Sequence, residues 1–146
     1  MMSKLTSKER EARISELKEI IANGSKDFKA YDELLNFYME LKDADSYFSL
    51  QKTIIPVFSA IADDLASATV FTLLANASKD DAKRLEFDKK ALLLEPKNVS
   101  LLKNVGLSHF FLADNENAEK YLKEVIDLEP DDKESQEILM QLTSTK

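Results

Sequence analysis

Leu94-Glu95-Pro96 and Leu128-Glu129-Pro130 are the same tripeptide met twice, beginning at position 94 and again at position 128, and this offset constrains the fold more than any other feature of the chain. A fixed period of roughly 20–50 residues marks stacked supersecondary units, none of which buries its apolar face alone. The span 99–132 is then one unit. In VSLLKNVGLSHFFLAD, Leu102, Val105, His109 and Leu112 recur at three-to-four spacing, which is one face of a helix. DNEN (114–117) breaks the pattern; Asp and Asn side chains bond nearby backbone, so it predicts a turn that also caps the next helix. In AEKYLKEVIDLE, Ala118, Leu122, Val125 and Ile126 share a second face. Pro130 stops that helix, because proline lacks the N–H and clashes with the preceding turn. Composition agrees: two Gly and three Pro are too few for the many turns of an all-β fold.

This unit resembles the tetratricopeptide repeat, whose pattern is W-x2-L-G-x2-Y, then A-x3-F, then P. Here Leu102-x2-Val105-Gly106-x2-His109 is followed by Ala118-x3-Leu122 and Pro130. Gly106, Ala118 and Pro130 match outright, Leu102, Val105 and Leu122 match in kind, and His109 stands in place of Tyr. The small residues let two helices approach closely. Weaker copies precede this one. KRLEFDKKALLLEP (83–96) resembles a second helix with Ala91 at the contact, and ASATVFTLLANA (66–77) its first helix, without the Gly. Residues 28–55 resemble another copy, with Tyr31, Leu34, Leu35 and Tyr38 on the first helix, Tyr47 and Ile54 on the second, and KDAD (42–45) as the turn. LKEII (17–21) echoes LKEVI (122–126), so a lone half-repeat helix is expected over 7–22, ending at Asn23-Gly24.

The resemblance implies an all-α, right-handed superhelical solenoid of about eight helices, read as one domain over 1–146. Its parts are a half-repeat at 7–22, repeats at 28–61, 65–98 and 99–132, and a capping helix at 133–143, which a terminal repeat needs because its stacking face has no neighbour. From Tyr31 to Leu102 the chain runs three positions longer than two such periods require. The extra residues are expected in PVFSAIADD (56–64), with Pro56 ending its helix early or kinking it.

Several function classes fall away. There is no Cys, which excludes disulfides and thiolate metal sites, and the one His excludes a multi-histidine site within a chain. A net charge of −7 argues against general affinity for nucleic acid or anionic membrane. No apolar run approaches the roughly 20 residues of a membrane helix. No secretory signal is visible in MMSKLTSKEREARI, so a cytoplasmic protein is expected. No metal, cofactor or catalytic residue is expected. His109 lies on an apolar helix face and reads as a core residue with one ring nitrogen satisfied. Asp63-Asp64, Asp80-Asp81 and Asp131-Asp132 are adjacent pairs that diverge on a helix and suit helix starts.

What remains is binding. In the resembled family the first helices of the pairs line a concave groove. By register this places Lys29, Asp32, Asn36 and Met39 there from the first copy, Ala66, Thr69, Leu73 and Asn76 from the second, and Lys103, Leu107, Phe110 and Phe111 from the third. The expected function is a protein–protein interaction module, an adaptor, scaffold or chaperone-like unit, with a protein or peptide partner. Leu73, Leu107, Phe110 and Phe111 are the expected apolar anchors, and Lys29, Asn36, Asn76 and Lys103 the polar partners. Phe110 and Phe111 have a second reading, packing on the helix at 134–142. Some members of the family grip a C-terminal carboxylate with Lys, Asn and Arg; this chain keeps only fragments of that set, with Asn36 and Lys103 in place and Asn104 nearby, but Asp32 and Ala66 where cations or amides are wanted. An alternative is a structural or assembly subunit, a homo-oligomer formed through the apolar stretch 54–77; behind it stands an enzyme of unrecognised type.

Overall fold

A computed structural model describes residues 4–144. Among them are nine helices and no strand: α1 (Ser7–Ala22), α2 (Phe28–Glu40), α3 (Ala44–Phe58), α4 (Ala62–Leu65), α5 (Ala68–Ala77), α6 (Asp81–Leu94), α7 (Val99–Phe111), α8 (Asn115–Leu128) and α9 (Lys133–Ser144). The fold is an all-α helical repeat. The chain divides into two compact units, one ending at Ile61 and the other beginning at Ala62.

The helix starts are set by side chains that accept a backbone N–H in the first turn, which would otherwise be unsatisfied. Thr6, Asp27, Asp43, Ser67, Asp80, Asn98 and Asp114 do this for α1, α2, α3, α5, α6, α7 and α8. Asp132 does it for α9, accepting from Ser135 N at 3.0 Å. Asp43 of KDAD and Asp114 of DNEN are thus the caps, but the turn before α8 is Leu112-Ala113, and Asn115, Glu116 and Asn117 already belong to that helix. Lys42 and Ala113, at matching places in these two turns, take left-handed φ values of 57° and 61° just before their capping aspartates. Gly24, at φ 83°, closes α1: its N–H donates to the Ile21 carbonyl at 3.0 Å and that of Ser25 to the Ile20 carbonyl at 3.4 Å.

In the first unit, α2 and α3 form a hairpin and α1 packs on α2. Leu17 is the one fully buried residue of α1. A two-pronged ion pair reinforces it: Arg13 Nε and Nη2 donate to Glu33 Oε2 and Oε1 at 2.6 and 2.9 Å. Tyr31 meets Phe58 edge-on at 5.0 Å between ring centres. Pro56 neither ends α3 nor marks its boundary; the helix continues past it to Phe58. The short α4, absent from the eight helices expected, lies in the region where the extra residues were placed.

In the second unit, α5–α6 and α7–α8 are successive hairpins and α9 packs on α8. Gly106 is the close point of the α7–α8 pair. A Cβ there would lie 2.9 Å from Leu122 Cδ2 and 3.0 Å from its Cγ. Ala118, Leu122, Ile138 and Leu142 form a buried cluster that ties α8 to α9.

Candidate protein-interaction surface

The residues expected in the groove divide by burial. On α2, Lys29 and Met39 are exposed, Met39 at 59%, and Asn36 is half-buried. On α5, Asn76 is exposed, but Leu73 is only 5% exposed. The helix ATVFTLLANA is apolar on nearly every side, and burial takes Leu73 with its neighbours Val70, Phe71 and Leu74. On α7, Leu107 and Phe110 pack against the Ala118–Leu122–Ile138–Leu142 cluster and are half-buried. Phe110 thus takes the second of its two readings, against the capping helix. Phe111 does not: 57% of it is exposed, its ring 5.9 Å from that of Phe110.

Lys103 is half-buried and engaged. Its Nζ lies 3.0 Å from Asp132 Oδ1 and 3.0 Å from Glu134 Oε1. Burial works against its charge, but the two carboxylates more than offset this and hold the ammonium above the ordinary lysine value. Asp132 is held below the usual carboxylate range by the Ser135 hydrogen bond and by Lys103.

Two buried polar groups sit side by side on α7. Ser108 Oγ donates to Asp88 Oδ2 of α6 at 2.7 Å, and Asp88 is 3% exposed. Burial pushes the Asp88 carboxyl up, against smaller opposing effects of Ser108 and Arg84. His109, also 3% exposed, stacks on Tyr121 at 5.6 Å. Its Nδ1 is 3.1 Å from Asp114 Oδ2 but out of line for a hydrogen bond, and its Nε2 is buried without a protein partner. Burial lowers the imidazole's proton affinity, and Asp114 only partly restores it. Neither ring nitrogen is therefore satisfied in the way the sequence suggested. Both side chains are sealed from solvent and face structural neighbours. Among the described residues no three His, Cys, Asp or Glu side chains are placed to hold a metal ion, and no helix is long and apolar enough to cross a membrane.

A further apolar feature escaped the sequence reading apart from Met39. At the α2–α3 turn a surface cavity of about 440 Å³ is lined by Tyr38, Met39, Lys42, Asp43, Ala44, Tyr47 and Phe48. Its origin is local. In the α2–α3 hairpin, Leu35 and Tyr47 occupy the places that Gly106 and Ala118 hold in α7–α8. Of these two, Leu35 is buried in the core, and Tyr47, half-buried, lines the cavity. The signal was present in Tyr47 standing where the repeat calls for Ala.

In the stretch 54–77, which is the expected face for self-association, buried and exposed residues are about equally mixed, but most of the large apolar side chains are interior. Ile54, Phe58, Val70 and Leu74 are fully buried, and Ile55 and Leu65 are the large apolar residues left exposed, at 37% and 40%.

No protein-family model matches the sequence, and no curated protein matches it significantly. Solved structures do resemble it. The MamA protein superposes with a TM-score of 0.67 at 13% identity, over 90% of this chain and 70% of that one. The first tetratricopeptide-repeat domain of Spaghetti (RPAP3), bound to an HSP90 peptide, gives 0.60 at 20% identity, over 79% and 89%. A thermophilic tetratricopeptide-repeat protein of Thermus thermophilus gives 0.51 at 19% identity, over 94% and 74%. With its helical hairpins and the Gly106–Leu122 contact, the chain has the fold of tetratricopeptide-repeat proteins.

Proposed function

We propose that the chain is a cytoplasmic protein–protein interaction module that holds a peptide or helix against the first helices of its hairpins. Phe111 carries this reading: a large apolar ring at the end of a first helix, more than half of it uncovered. Covering that part of a Phe removes on the order of 100 Å² of apolar surface, worth roughly 2–3 kcal/mol. Asn76 supplies a polar group on the first helix α5 of the same unit, and Lys29 and Asn36 supply polar groups on α2. That the RPAP3 domain of this fold is bound to a peptide is in keeping with this use of the fold.

The partner in this reading is apolar rather than an acidic tail. Lys103, the cation a carboxylate would seek, already faces two carboxylates, and the chain carries −7 overall. Leu73 is withdrawn from the set of anchors by its burial. Phe110 supports the ring beside it rather than reaching outward. The role is binding, with no chemical step.

A peptide-display selection on the wild-type chain tests this, followed by titration of the selected peptides into Phe111→Ala and Phe110→Ala. Phe111→Ala is expected to weaken binding about 30-fold or more, from the area it removes, with an unchanged melting temperature. Phe110→Ala is expected to lower the melting temperature instead. Selected peptides that bind Phe111→Ala as tightly as wild type would overturn the assignment.

A further inference from the structure

We propose that the cavity at the α2–α3 turn is a self-association face, occupied by a second copy of this chain. The same patch holds a hole and the knobs to fill it. Phe48 and Met39, 58% and 59% exposed, stand at the mouth of a cavity whose walls are Tyr38, Tyr47 and Ala44. Leu41, beside them in the turn, is 46% exposed. A hole and a knob on one patch are what a two-fold contact requires, since each copy must present both.

Charge favours a copy of the chain at this place and disfavours one elsewhere. Residues 1–61 carry nine basic against ten acidic side chains, a balance of −1, whereas residues 62–146 carry eleven against seventeen, a balance of −6. Two copies meeting through the first unit meet little repulsion; meeting through the second, they would meet most of it. The two charged residues that line the cavity, Lys42 and Asp43, are exposed and of opposite sign, so a two-fold contact can set opposite charges across from each other. The area sets the strength. Two Phe48 and two Met39 contribute roughly a few hundred Å², short of the roughly 1,200 Å² of a stable specific interface. The association is therefore weak and depends on concentration.

Sedimentation equilibrium on the full chain over a range of concentrations tests this, with Phe48→Glu and Met140→Glu compared. Met140 is 69% exposed, in the second unit. The mass of the wild type is expected to climb from 16.6 kDa toward twice that value as concentration rises to roughly millimolar. Phe48→Glu should raise the dimer dissociation constant at least tenfold, and Met140→Glu should leave it unchanged. The chain has no cysteine, so Ala44→Cys introduces a single thiol at the cavity. Under mild oxidation it should cross-link two chains, and adding Phe48→Glu should suppress the cross-link. A wild type that keeps the mass of a single chain throughout overturns the proposal, even if Phe48 proves to bind some other protein. So does a dimer indifferent to Phe48→Glu.

Discussion

Gly106 and Leu122 meet so closely that the residue at 106 decides whether α7 and α8 can pair at all. A methyl group there would already crowd Leu122 Cγ at 3.0 Å, which is the branch point of that side chain and cannot swing aside like its tip. Gly106→Leu is expected to cost at least roughly 1–3 kcal/mol through overpacking, read as a lower melting temperature. One period before Leu122 the same position is Asp88, a carboxylate in a place shaped for an apolar side chain. Its folded pKa is raised by burial, so its contribution to stability has a definite sign. Below the unfolded value, near pH 3.8, both states are protonated and burial of the charge costs nothing. As pH climbs toward the folded value the cost grows, and above that value it is complete. Asp88→Asn keeps a polar partner for Ser108 and removes the charge. It is expected to stabilise the chain by on the order of 1 kcal/mol at pH 7, with the gain fading as pH falls to about 3.8; equal denaturation midpoints at pH 7 would contradict this.

At the scale of elements, the two hairpins α2–α3 and α7–α8 share a turn and differ in their waists. The turn is the same device twice. A left-handed residue, Lys42 or Ala113, lets the next N–H reach back to Tyr38 or His109, and Asp43 or Asp114 then caps the following helix. Neither Lys nor Ala favours a left-handed φ, which costs roughly 1–2 kcal/mol, whereas Gly brings a smaller entropic cost. Ala113→Gly should therefore raise stability by up to about 1 kcal/mol, measurable as a higher denaturant midpoint at constant slope. These turns were legible because Asp and Asn act on adjacent backbone, which is local chemistry. The contents of the waists were harder to read. In α5 the one polar side, Thr69, Thr72 and Asn76, runs alongside Leu73, so spacing could not say that Leu73 faces inward. Phe110 and Phe111 are neighbours in sequence, and only the position of α9 separates the one that packs from the one that does not. The cavity beside Tyr47 needed the three-dimensional placement of Tyr38 and Met39 on α2 against Tyr47 and Phe48 on α3.

For the molecule as a whole, the net charge of −7 looked like a diffuse property until the boundary at Ile61 divided it. The helical period and its stops were legible from Pro96 and Pro130 alone; where the charge belongs was not, because it depends on which helices form one compact body. With a balance of −6 on the second unit and −1 on the first, self-repulsion burdens the second. Salt should relieve it, since the screening length shrinks from about 30 Å at 0.01 M to about 10 Å at 0.1 M. The Lys103 ion pairs act in the opposite direction, but they join one cation to two acids, against an excess of six charges, and their partial burial shields them from salt. Hydrogen exchange followed segment by segment separates the two units. Between those salt concentrations, opening free energies for amides in α6, α7 and α8 are expected to rise by roughly 0.5 kcal/mol, a twofold slowing or slightly more, while those in α2 and α3 stay within error. An equal rise in both sets of helices would place the repulsion across the whole chain instead of within the second unit.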